Sequence, residues 1–207
     1  MKIFILLIFL LIPLFSCSSK KEKVLFLGNI ISSTFVEKMK NEEKQSDFSF
    51  LKNKETISSI YKDIEVNAKS INSNKKIVSL MKNARCIVIN SGIYDILKSV
   101  KIINSSISIM EENEEKSLEL FEYYLFNILE EVDENATVKY LSIFNPYKGN
   151  INNIEKLDFW IEKYNQVIKG FKKIAYIDIS PIEEKLSSSF VISDEGEDFL
   201  IDMIING

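Results

Sequence analysis

Four short runs of apolar, largely β-branched residues punctuate the chain, at residues 24–27, 86–90, 138–144 and 175–179, with a weaker one at 64–66. Runs of this length suit strands rather than helices, and near-continuous apolarity is expected of strands covered on both faces. Between the runs the apolar positions change to helical spacing. Leu118, Phe121, Tyr124, Leu125, Ile128 and Leu129 recur at three- and four-residue intervals and predict a helix over residues 117–132. Phe159, Ile161, Tyr164, Val167, Ile168 and Phe171 predict a second, and Phe199, Leu200, Met203 and Ile204 a closing amphipathic helix that docks on the sheet. Strands alternating with helices predict an α/β domain built on a parallel sheet. Residues 37–54 are polar and weakly patterned, which predicts a helix end and a loop before the second strand. The acidic run Glu111, Glu112, Asn113, Glu114, Glu115 is expected just before the long helix, favouring its positive end and solubility. No repeat or linker divides the chain, so residues 24–207 are read as one domain.

The first residues have a different layout. Met1 and Lys2 lead into an apolar run over residues 3–12, followed by Pro13, Leu14, Phe15, Ser16 and Cys17, and the chain turns polar at Ser18. The run is short for a membrane-spanning helix and has the form of a signal-peptide core. Leu14 with Cys17 three positions on, and a small Ser16 between, resemble the bacterial lipobox, although Phe15 is bulkier than the usual residue there. The expectation is a signal peptide over residues 1–16, lipidation at Cys17 with acyl chains such as palmitate, and a tether over 17–23. Membrane lipid, engaged through Cys17, is then one partner, and the location is the bacterial cell envelope, on its periplasmic or surface side. A plain secretory signal or an uncleaved anchor is the alternative.

Composition removes several function classes. With 26 basic and 30 acidic residues the net charge is −4, and the lysines are scattered among acids, so no basic face for nucleic acid is expected. The chain has two cysteines and no histidine. Once Cys17 is lipidated, Cys86 stands alone in a strand-like run, where a cysteine is usually a small buried hydrophobe. Neither an intramolecular disulfide, nor a metal site, nor a cofactor is expected.

In open parallel sheets ligands bind at the carboxyl ends of strands, so the residues following each run are the candidates. The first run ends in Gly28, Asn29, Ile30, Ile31 and Ser32, and the second continues through Asn90, Ser91, Gly92, Ile93, Tyr94 and Asp95. The third ends in Asn145, Pro146 and Tyr147, followed by Trp160 and Asn165; Val191, Ile192, Ser193, Asp194, Glu195 and Gly196 precede the last helix. In order and spacing these blocks resemble the SGNH (GDSL-type) hydrolases, in particular their bacterial lipase/acylhydrolase-like branch. The resemblance spans nearly all of residues 24–207. It implies a three-layer α/β/α sandwich with a flavodoxin-like sheet of five parallel strands.

Carried over residue by residue, the resemblance places the catalytic slots on unsuitable side chains. The nucleophilic serine falls on Ile30, the oxyanion-hole glycine on Asn72, the oxyanion-hole asparagine on Tyr94, the aspartate on Ser188 and the histidine base on Val191. An isoleucine cannot attack an acyl group, and valine cannot activate a nucleophile. Asn72 through its backbone N–H and Tyr94 through its phenol retain donors. No catalytic residue is therefore assigned. The candidate binding cleft comprises Gly28, Asn29, Ile30, Asn72, Gly92, Tyr94, Asp95 and Asn145.

Three functions are compatible with this pattern. The first is a membrane-anchored pseudoenzyme that binds a ligand or protein partner. The second is a weak esterase or acylhydrolase with a relocated nucleophile, Ser32 or Ser33, served by Asp95 or Lys69. The third is a flavodoxin-like binder of an unrelated ligand that shares only the architecture and lacks a cavity beside Ile30, Asn72 and Tyr94; independently of these, Gly28, Gly92, Asn145 and Pro146 also read as turns that the sandwich needs.

Overall fold

A computed structural model of the chain describes residues 22–28, 38, 48–50, 67–103, 106–109, 111–147, 154, 156–181 and 193–206. In chain order the elements are β1 (Glu22–Gly28), β2 (Phe48–Phe50), α1 (Ala68–Ser73), α2 (Lys75–Met81), β3 (Cys86–Asn90) and α3 (Ile93–Leu97). There follow β4 (Val100–Ile103), β5 (Ser106–Ile109), α4 (Glu111–Glu130), β6 (Thr137–Leu141), α5 (Leu157–Gly170), β7 (Ile174–Ile177) and α6 (Asp194–Asn206). The main sheet runs β2-β1-β3-β6-β7 with every pairing parallel, so the chain steps outward from β1 first to one side and then to the other. Strands β4 and β5 form a separate antiparallel pair.

Period-two alternation within the strands distributes the core. Leu25, Leu27, Ile87, Ile89, Val138 and Tyr140 face the layer that holds Ile71, Met81, Phe121, Leu125, Trp160 and Tyr164. Their neighbours Val24, Phe26, Val88 and Leu141 face the opposite side, where Leu200, Ile201 and Ile204 of α6 cover them. Helices therefore lie on both faces of the sheet. On the α6 side Lys139 is the polar member of the alternation, and its Nζ donates to the Ile204 carbonyl at 2.7 Å. That contact satisfies a carbonyl in the last turn of α6, where a cation is also favoured by the helix dipole.

Most departures from the sequence pattern have local causes. Strand β2 lies inside residues expected to be loop, because three residues carry too little alternation to register. The β4–β5 pair was not anticipated for the same reason. Helix α4 begins at Glu111, so the acidic run forms its first turn and does not precede it. The third apolar run stops as a strand at Leu141: Ser142 N still donates to Ile177 O at 2.8 Å, but Ile143 leaves the ladder for a side chain of α5. The weaker run at 64–66, the signal-like segment and Cys17 lie outside the described residues. Among the described helices none is long and apolar enough to cross a membrane.

Candidate functional site

The C-terminal strand ends converge through short contacts. Gly28 is the register partner of Asn90 in the β1–β3 pairing. A Cβ at position 28 would stand 2.4 Å from the Asn90 carbonyl oxygen and 2.8 Å from its Cβ, so this close approach admits only glycine. The Asn90 side chain in turn reaches the Ser142 carbonyl at the end of β6, at 3.5 Å. Ser142 Oγ accepts from Ile179 N at 2.9 Å, which ties in the end of β7. Beside Asn90, the Ser91 hydroxyl and the Tyr140 phenol share a buried hydrogen bond of 2.7 Å. Burial holds the Tyr140 proton well above the usual phenol range. A neutral phenol of this kind cannot act as a base toward Ser91.

Gly92 turns the chain from β3 into α3. Its φ of 106° is disfavoured for any residue with a side chain, and a Cβ there would lie 2.3 Å from Ile143 Cδ1 and 3.3 Å from a Phe121 ring carbon. The turn delivers Asp95 to the start of α1, where Asp95 Oδ2 accepts from the Ala68 backbone N–H at 3.1 Å. The same helix end carries a capping box: Asn67 Oδ1 accepts from Ser70 N at 2.9 Å, and Ser70 Oγ accepts from Asn67 N at 3.0 Å. Burial pushes the Asp95 carboxyl up to about 6, against the opposing pull of the Ala68 N–H and of Lys98, 4.0 Å away. Asp95 is thus a buried helix cap, and its carbonyl accepts from Ser117 Oγ at 3.1 Å.

The other described candidates are also held internally. Asn72 sits in the last turn of α1, beyond the first-turn N–H groups that a helix leaves unpaired, so its backbone N–H belongs to the helical ladder. Tyr94 is half-buried against the main core. Asn145 is buried, accepting from Tyr147 N at 2.8 Å and donating to Asp158 Oδ1 at 2.8 Å. It shapes the turn after β6 and ties it to the first turn of α5. Lys69, one of the two bases considered for a relocated serine, is exposed on α1. Asn29, Ile30, Ser32, Ser33, Ser188 and Val191 lie outside the described residues.

Three features of this region were not read from the sequence. Asn165 on α5 accepts from Ile143 N at 2.8 Å and donates to Ile143 O at 2.9 Å, replacing both ladder bonds that Ile143 loses on leaving the sheet. Glu114 is fully buried, and neither carboxylate oxygen has a hydrogen-bond partner. Burial raises its proton affinity and the nearby Asp95 raises it further, while the Ser99 and Tyr164 hydroxyls pull the other way. The signal for Glu114 was present, since it falls seven residues before Phe121 on the stripe continued by Leu125 and Ile128. Lastly, Lys38 joins the segment after β1 to the first turn of α6, with Nζ 2.9 Å from Asp198 and 3.4 Å from the buried Glu197. Ser193 caps that helix by accepting from Gly196 N at 3.2 Å.

Among the described residues no group of three histidine, cysteine or acidic side chains could hold a metal ion. A surface groove of ≈ 420 Å³, lined by Leu118, Glu122, Lys163, Gln166 and Val167 among others, lies between α4 and α5 and includes none of the candidates.

Strands, turn and helix order together match solved α/β structures. The crystal structure of the lipase Lip_vut3 from goat rumen metagenome superposes with a TM-score of 0.60 at 18% identity, covering 90% of this chain and 97% of that one. A structure of the psychrotrophic esterase EstA from Pseudoalteromonas sp., inhibited by monoethylphosphonate, superposes at 0.54 with 11% identity, covering 90% and 96%. The fold is lipase- and esterase-like. No family model matches the chain, and no curated protein matches it in sequence. At these identities the likeness is one of architecture, and the chemistry rests on the chain's own residues.

Proposed function

We propose that the chain is a lipid-anchored bacterial envelope protein whose domain is an SGNH-type scaffold without hydrolytic activity, working by binding a ligand or protein partner. The observation that carries this reading is the complete absence of histidine from a chain with a lipase- and esterase-like fold. Acyl transfer at neutral pH needs a nucleophile and a group to take its proton. The resemblance puts Ile30 and Val191 in those two roles, and neither side chain bears a transferable proton or a lone pair. Removal of a triad member typically costs on the order of 10⁴ to 10⁶ in turnover. The internal engagement of Asp95 and Asn145 supports the same reading, because these polar groups already serve the scaffold.

Incubation of the purified protein with a fluorophosphonate, followed by intact-mass measurement and a short acyl-ester assay, tests the proposal. No adduct and no turnover above background are expected. An adduct on Ser32 or Ser33 with matching ester turnover would overturn it in favour of a divergent esterase.

A further inference from the structure

We propose that the groove between α4 and α5 is a docking site for a cationic amphipathic helix of a partner protein, which seats apolar side chains in the groove and sets lysines or arginines against the glutamates along α4. The inference stands on this surface alone and depends on neither lipidation nor the absence of hydrolysis.

The solvent side of α4 carries two adjoining rows. Glu115, Glu119, Glu122, Phe126 and Glu130 recur at three- and four-residue steps and form one row about 22 Å long, with Glu122 reaching into the groove wall. Leu120 and Tyr123 belong to the next row. Leu120, Tyr123 and Phe126 are 46%, 59% and 53% exposed, although the same helix already buries Phe121, Leu125 and Ile128 in the core. Such a cluster of large apolar side chains left in water marks an interaction surface. The groove beside it adds the half-buried Leu118, Val167 and Phe171. At Gly170 a Cβ would meet nothing within 4 Å, which leaves that part of the wall open.

Charge selects the occupant. Glu115, Glu119, Glu122 and Glu130 are exposed and, among the described residues, take part in no ion pair. Lys163, the one basic residue lining the groove, holds its Nζ 5.3 Å from the centre of the Phe159 ring, and Lys116 is the one basic residue of α4. An apolar centre rimmed by carboxylates complements a segment that bears apolar and basic residues together. A second copy docked face to face would set glutamates against glutamates, and an anionic lipid surface would repel them. Backbone accounting then selects a helix. The walls of the groove are helix side chains with no strand edge to pair with, so the occupant must satisfy its own N–H and C=O groups.

The test uses the full chain in phosphatidylcholine nanodiscs, with empty discs as the blank. The probe is a fluorescein-labelled helical peptide of about 15 residues, long enough for the glutamate row, with leucine at every third and fourth position and lysine elsewhere. Saturable binding by anisotropy is expected, at least tenfold weaker for a scrambled peptide of the same composition. Glu119→Lys with Glu122→Lys, and separately Tyr123→Ser with Phe126→Ser, should each weaken binding at least tenfold; all four positions are exposed, so the fold is retained. Glu134→Lys with Glu195→Lys makes the same change in net charge elsewhere on the surface and should alter binding less than twofold. No binding, equal binding of the scrambled peptide, or equal losses in the two charge-reversed variants overturns the proposal. Sedimentation showing a dimer that Tyr123→Ser with Phe126→Ser dissociates also overturns it, by giving the face to a second copy.

Discussion

The Asp95 carboxylate reaches back 27 residues to accept the Ala68 N–H at 3.1 Å, which makes one buried acid the link between the turn after β3 and the first turn of α1. Its proton affinity gives that link a pH signature. A carboxyl raised to about 6 in the fold, against about 3.9 in an unfolded chain, contributes stability that is fully present below about pH 4. The contribution is lost as pH rises through about 6. Asp95→Asn should keep an acceptor for Ala68 and flatten this part of the stability profile. Asp95→Ala should instead lose about 1–3 kcal/mol by stranding a buried N–H. Urea midpoints of the three proteins between pH 4 and pH 8 check both outcomes, and an unchanged pH slope in Asp95→Asn would contradict the first.

Glu114 carries the same sign of pH dependence, because burial raises its carboxyl against the opposing pull of the Ser99 and Tyr164 hydroxyls, neither of which makes a well-formed hydrogen bond to it. Burying a carboxylate without partners is costly, and an apolar side chain of similar length removes that cost. Glu114→Met is expected to raise the urea midpoint at pH 8 and to change it little at pH 4. A lower midpoint at pH 8 would show that the acid is satisfied in a way the local geometry does not provide.

Asn165 replaces two ladder bonds for Ile143, so its removal strands a buried donor and a buried acceptor together. Asn165→Ala should cost about 1–3 kcal/mol for each group, less whatever water can recover. Thermal unfolding of this variant, beside Gln166→Ala as an exposed neighbour, separates the effect from a general loss of helix packing.

Anchoring is expected to depend on one atom, the Cys17 sulfur. Each buried methylene of an acyl chain contributes about 0.8 kcal/mol, so several chains on one residue hold a soluble domain at a bilayer. In Cys17→Ser, palmitate incorporation should vanish and the protein should leave the membrane fraction or remain unprocessed. Unchanged labelling and partitioning would rule the lipid anchor out.

Restoring a single catalytic group is expected to do little. Ile30→Ser supplies a hydroxyl with no base, and such a serine should remain nearly inert toward short acyl esters. The combination Ile30→Ser, Ser188→Asp and Val191→His is the smallest change that supplies nucleophile, base and orienting acid together. Ester turnover in the triple variant that exceeds the single variant would support the slot assignment; strong turnover in Ile30→Ser alone would contradict it.

The strand runs at 24–27 and 86–90 and the stripes of α4 and α5 were legible because burial on a strand or helix repeats with a local period. So was the absence of histidine, a matter of composition alone. The sequence by itself therefore determined a layered α/β chain and the lack of any histidine. Its edges were less distinct: β2 at Phe48–Phe50 and the β4–β5 pair are too short to carry a period. Tertiary structure decided the rest. That Asp95 caps α1, that Asn165 holds Ile143, and that Glu114 faces the core despite sitting in an acidic run all depend on contacts across 22 residues or more, or on which neighbouring helix closes over a face. A residue type states what a group can donate, accept or bury; which partner it meets is fixed only when the sheet brings its strand ends to one edge.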